Sequence, residues 1–165
     1  MGGEERTSAP PSLRVHVFNG QSDLFIHEQA VQKLVQHVFS FFEVQADEVA
    51  IHFIDEEHIC SLHEEFFGDP SVTDCISFPI DQGNREEGMT VLGDVFVHPQ
   101  MVFSSWARLP FNEELALYII HGCLHLLGYA DGDPLMEEKQ NACLQAMNEL
   151  QLCTSLASKA TPTGG

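Results

Sequence analysis

The chain has 165 residues, enough for one domain with a sizeable core, and a hydrophobic content of 44% that suits a globular fold. Twenty-five acids against seven Lys and Arg give a net charge of −18, which aids solubility and disfavours non-specific binding to nucleic acid. No apolar stretch is long enough to span a bilayer, and the N-terminus shows no signal-peptide pattern. The five cysteines are an odd number without a CxxC pair, so free thiols in a reducing cytoplasm are expected, with no membrane partner.

Residues 1–12 are polar, contain Ala-Pro-Pro, and are expected to be a disordered extension. Leu13–Phe18 alternates apolar and polar residues, the period of a half-buried strand, and Asn19-Gly20 breaks it. His27–Phe42 carries Ala30, Val31, Leu34, Val35, Val38 and Phe39 at helical spacing, a stripe that faces a core. Glu48–Ile54 alternates again and predicts a second strand. Asp55 is placed to cap a helix through Ile59, Leu62 and Phe66, which Gly68-Asp69-Pro70 ends. Thr73–Pro79 and Thr90–Val97 predict a hairpin around the polar Asp81–Gly88 turn, with Gly93-Asp94 marking a bulge or a close backbone approach. Pro99–Ala107 predicts a helix with Pro99 in its first turn.

The next helix carries the chemistry. Pro110 introduces it, Asn112 is the expected N-cap, and Glu113 and Glu114 suit the positive end of its dipole. Its apolar run from Leu115 to Leu127 is interrupted by His121 and His125. Residues i and i+4 share one helix face, so both imidazoles can converge on one ion. Gly128 is the natural left-handed residue for ending the helix and bringing Asp131 round to the same face. Two histidines and a carboxylate, with a position left for water, make the donor set of a catalytic zinc site; the carboxylate also admits nickel, manganese or iron. A lone histidine in an apolar helix is usually a satisfied core residue, but two unpartnered buried imidazoles would be costly. Gly122 stands where an H-E-x-x-H protease carries its general base, so peptide hydrolysis by that route lacks one. Cys123, two residues past His121, is expected in the core.

Asp133-Pro134 starts a last helix with Met136, Ala142, Cys143, Met147 and Leu150 as its stripe, and 154–165 reads as a frayed tail. The fold class is therefore α+β: a small mixed sheet of about four strands packed with about five helices, in a single domain over 13–153, with the metal site at the end of a buried C-terminal helix.

The run HGCLHLLGYAD at 121–131 closely resembles the signature of the YbeY family of bacterial endoribonucleases, H-G-x-L-H-L-x-G-Y-D-H. TDCISFP at 73–79 is similar to that family's T-D-V-L-S-F-P, and Leu92-Gly93-Asp94 to its L-G-D-I. The blocks come in the family's order, and the likeness covers Leu13 to about Leu152. It implies one zinc on His121, His125 and residue 131. It also implies a single-strand-specific endoribonuclease that acts on ribosomal RNA with the ribosome or its proteins, in small-subunit 3′-end maturation and quality control. This chain departs from the family at three places: Asp131 replaces the third histidine, Ala130 the acid before it, and Phe67 an arginine. The lost arginine would contact phosphate, and Arg85 and Arg108 are the nearest remaining bases in sequence.

The expected catalytic residues are His121, Ser77 and Asp94, with Ser77 or Asp74 orienting substrate and Asp94 holding a ligand imidazole; Ser77 also reads as a simple strand residue, and Asp94 as a bulge residue satisfying local amides. Asp74 reads equally well as a strand-end carboxylate. Tyr129 is expected to pack and Trp106 to sit in the core or at the surface, where it could stack a base. The paired acids, such as Glu64-Glu65, read as solvated surface. A competing reading is a ribosome-associated assembly factor whose metal is mainly structural, and a third is a metalloprotease-like hydrolase.

Overall fold

A computed structural model describes residues 13–80 and 90–159. The expected extension over 1–12, the Asp81–Gly88 turn and the end of the tail at 160–165 lie outside the described residues.

The chain runs β1 (Arg14–Asn19), β2 (Leu24–Ile26), α1 (Glu28–Phe41), β3 (Glu48–Phe53), α2 (Glu56–Phe67), β4 (Cys75–Pro79), β5 (Val91–Val97), a 3₁₀ turn (Pro99–Phe103), α3 (Phe111–Leu126), α4 (Pro134–Glu149) and β6 (Ala157–Lys159). A four-stranded sheet has the order β1-β3-β5-β4. β1, β3 and β5 are parallel, and β4 runs antiparallel to β5. The mixed sheet of the sequence reading is present.

Alternation sets the faces. Val15, Val49, Ile51, Phe53, Val95 and Val97 are buried beneath the helices, and their registers (Val15 with Val49, Ile51 with Val95, Phe53 with Val97) stack them across strands. The α1 stripe of Val31, Leu34, Val35, Val38 and Phe39 closes over that face. Gln32 and Gln36 of α1 donate to the carbonyls of Val15 and Leu13, tying the helix to the edge strand. Asp55 caps α2 through the His58 amide at 3.0 Å, and Gly68 ends it at φ 70°, both as expected. The register between β3 and β5 shifts next to Gly93-Asp94, the predicted bulge. A Cβ on Gly93 would lie 2.4 Å from the Phe78 carbonyl oxygen, so this position requires glycine.

Several expectations are corrected. The helix expected at 99–107 is a 3₁₀ turn that stops at Phe103, because Ser104 adopts an extended conformation (φ −77°, ψ 166°). The described residues therefore hold four α-helices rather than about five. Asn112 does not cap α3; Pro110 occupies that position. Instead, the Asn112 side-chain oxygen accepts from the amides of Leu156 and Ala157 at 2.9 and 3.0 Å. The part of the tail at 156–159 is consequently structured, with Leu156 buried and β6 paired antiparallel to β2. On α4, Ala142 and Leu150 are exposed, and the inward stripe is Met136, Gln140, Cys143 and Met147.

Candidate metal centre

α3 is buried along ten of its residues and lies against β4, β5 and α4. It approaches the sheet closely because residue 122 is glycine: a Cβ there would lie 2.5 Å from Val95 Cγ1 and 3.3 Å from Ser77 Oγ. Gly122 thus serves packing at the position where a metalloprotease holds its base. After Leu126 the chain turns through Gly128 at φ 102°, as expected. Tyr129 N then bonds the Leu124 carbonyl, and Asp131 comes back over the helix end, just ahead of α4, whose first turn Asp133 caps through the Leu135 amide.

His121, His125 and Asp131 meet at this end. His121 Nε2 lies 3.2 Å from Asp131 Oδ1 and 3.1 Å from His125 Nε2, and His125 Nε2 lies 3.1 Å from Asp131 Oδ1. The other ring nitrogens are committed elsewhere. His125 Nδ1 donates to the Tyr129 carbonyl at 2.8 Å, and His121 Nδ1 donates to Gln140 Oε1 at 2.7 Å. With both protons on Nδ1, the two Nε2 atoms and the carboxylate oxygen are three acceptors facing one another, an arrangement that calls for a cation between them. The spacing fits one: a tetrahedral zinc with bonds of about 2.0–2.1 Å holds its ligand atoms roughly 3.3 Å apart. Asp131 is 79% exposed, so the site opens to solvent on that side.

A cavity of about 330 Å³ lies there, lined by His121, Asp131, Asp133, Met136, Glu137 and Gln140. A larger one, about 680 Å³, runs between the end of α1 and the start of β3; its lining includes Glu43 and Asp47 but no histidine or cysteine.

The remaining candidates separate. Ser77 reaches the centre indirectly, its hydroxyl donating at 2.8 Å to the carbonyl of Gly122, next to His121. Asp94 does not hold a ligand imidazole: its Oδ1 pairs with His52 Nε2 at 2.9 Å, and His52 stacks between Phe18 and Phe96, on the sheet face opposite Ile51 and Phe53. A mid-strand position fixes only which face a side chain takes, and that face is not the one α3 covers. Asp74 accepts from the Cys75 amide at 2.8 Å, the strand-end role. Trp106 is 64% exposed and Phe67 is also exposed. Cys123 is fully buried, and burial pushes its thiol up, which leaves it inert. Of the two candidate bases, Arg108 uses its amide to bond Glu114, and Arg85 lies outside the described residues. Two partners escaped the sequence reading: the Tyr129 carbonyl and Gln140. The second leaves a trace in the sequence, since Gln140 is a polar residue on the otherwise apolar stripe of α4.

A family model described as Endoribonuclease YbeY matches residues 16–150. The chain belongs to the endoribonuclease YbeY family. An Endoribonuclease YbeY of Chlamydia caviae is 36% identical over 147 residues, spanning 84% of this chain and 93% of its own. One from Protochlamydia amoebophila is 34% identical over 144 residues, spanning 84% and 95%. The backbone is similar to the solution structure of a Thermotoga maritima protein, with a TM-score of 0.55 at 22% identity, covering 92% of this chain and 99% of that one. That likeness shows a shared fold. The YbeY match runs through all three motif blocks and the whole of α3. Among the described residues no helix is long and apolar enough to cross a membrane.

Proposed function

We propose that this chain is a single-strand-specific, zinc-dependent endoribonuclease that acts in small-subunit ribosomal RNA 3′-end maturation and ribosome quality control, in the cytoplasm and with the ribosome or its proteins. The observation that carries the reading is the convergence of His121 Nε2, His125 Nε2 and Asp131 Oδ1 with both Nδ1 protons held elsewhere. YbeY-named relatives are curated as endoribonucleases, and the family match supplies the reaction class.

His121, His125 and Asp131 would hold the ion. Bound there, a divalent ion supplies Lewis acidity toward a phosphoryl oxygen and lowers the pKa of a water, the needs of phosphodiester hydrolysis. Ser77 steadies the carbonyl next to His121 and so keeps α3 seated against β4. Glu137 and Asp133 line the cavity and present negative charge to an incoming phosphodiester. With Phe67 in place of an arginine and a net charge of −18, the chain itself provides little attraction for RNA. Delivery by a basic ribosomal partner resolves that conflict. The same charge favours a second reading, a ribosome-associated assembly factor with a mainly structural metal and weak or absent cleavage.

The test is metal content of the purified protein together with cleavage of single-stranded ribosomal RNA, before and after chelation and zinc return. The endoribonuclease reading expects one equivalent of zinc and cleavage that chelation abolishes and zinc restores. His125→Ala should stay folded, lose the ion and lose cleavage. Bound zinc without cleavage selects the assembly-factor reading, and a metal-free, fully active His125→Ala protein overturns the site.

A further inference from the structure

Resting on the metal-site reading, we infer that Gln140 is the positioning residue that makes His121 a metal ligand. Its side-chain oxygen lies 2.7 Å from His121 Nδ1. An amide oxygen only accepts, so the imidazole proton sits on Nδ1 and the lone pair on Nε2, toward His125 and Asp131. In the other tautomer the proton sits on Nε2. It then satisfies Asp131 Oδ1, 3.2 Å away, or His125 Nε2, 3.1 Å away, as an ordinary hydrogen bond. That arrangement closes the triad to a cation. The partner of Nδ1 therefore decides between a ligand set and a closed hydrogen-bonded cluster.

His125 needs no such help. Its Nδ1 bonds the main-chain carbonyl of Tyr129, which the Gly128 turn delivers and which no side-chain replacement removes. His121 depends on a side chain from another helix, nineteen residues away. Gln140 occupies the inward stripe of α4, four residues after Met136 and three before Cys143, both buried. Gln140 itself is half-buried, and among the described residues its side chain bonds His121. The pair couples the seating of α4 on α3 to the orientation of a ligand ring.

Three variants test this: Gln140→Leu removes the acceptor, Gln140→Asn keeps the amide but shortens its reach, and Gln140→Glu keeps an acceptor that cannot present a donor when ionised. Zinc affinity is measured by competition with a chromophoric chelator, cobalt substitution reports ligand geometry through its visible spectrum, and urea unfolding of the metal-free proteins reports the fold. Loss of such an outer partner typically weakens metal binding about 10–100-fold, which is the expectation for the Leu and Asn variants, with an altered cobalt spectrum. The Glu variant should bind within a few-fold of the parent or more tightly, and the metal-free Leu variant should unfold close to the parent midpoint. Parent-like zinc affinity in both the Leu and Asn variants, or equal weakening in the Glu and Leu variants, overturns the positioning role and leaves Gln140 a packing residue. If the parent itself binds neither zinc nor cobalt, the metal-site reading falls and this inference with it; a parent that binds while the Leu and Asn variants match it overturns this inference alone.

Discussion

His98 shows how one residue can set a pH response. It is 3% exposed at the end of β5, and among the described residues neither ring nitrogen has a hydrogen-bond partner. Burial lowers its pKa from 6.5, outweighing the raising effects of the nearby Glu56, Asp55 and Asp23 carboxylates. The unfolded chain therefore takes up a proton before the folded one does. The stability this protects is fully present above about pH 6.5 and is lost as the pH falls below it toward the lowered folded-state value. His98→Leu should flatten that fall, with urea midpoints of parent and variant diverging between neutral pH and about pH 5. Parallel pH profiles would remove His98 from the account. The buried thiols of Cys123 and Cys143 are held protonated by burial, and they add nothing in this range.

At the scale of the element, two side-chain choices decide how the helices sit. Gly122 lets α3 close on β5, and the atom that an added Cβ would strike belongs to the fully buried Val95. Gly122→Ala gains about 1 kcal/mol of helix propensity but incurs about 1–3 kcal/mol of overpacking, because a stiff core valine has no room to move. A net loss of about 1 kcal/mol in urea unfolding is expected, accompanied by weaker zinc binding, since His121 is the adjacent residue. A stabilised variant would show that the sheet yields. Asn112 joins the first turn of α3 to the segment that enters β6. Asn112→Ala leaves the amides of Leu156 and Ala157, both buried residues, without their acceptor, at about 1–3 kcal/mol for each one left unpaired. Amide exchange should quicken across β6 while the protection of β3 is retained, and unchanged exchange at 157–159 would mean that β2 alone holds the segment.

For the whole molecule the governing quantity is charge. A net −18 on a chain of this size repels itself, and ion pairs such as Arg14 with Glu48 at 3.1 Å relieve little of it. Salt shortens the screening length from about 30 Å at 0.01 M to about 8 Å at 0.15 M. The urea midpoint should therefore rise with sodium chloride over that range, and a falling midpoint would show that attractive pairs dominate. The same field opposes RNA approach, so added salt should weaken cleavage less than it does for a basic nuclease, whose binding depends on released counterions.

The four α-helices, the strands of the main sheet and the histidine pair are legible because each is written at short range. Periods of two and 3.6 residues place side chains on faces, and His121, His125, Gly128 and Asp131 fall within eleven residues of one another. What was not legible joins residues far apart in the chain. Three-residue strands such as β2 and β6 are too short to carry a period, and their pairing depends on Asn112 reaching Leu156 and Ala157. Asp94 lies on the bulged strand that the sequence predicts, yet its partner is His52, because alternation names a face and not a neighbour. Gln140 is a plain helical glutamine until α4 packs against α3. By itself the sequence determined which side chains could bind an ion; the tertiary structure decided which ring nitrogens are free to do so, since that depends on hydrogen-bond partners that only packing supplies.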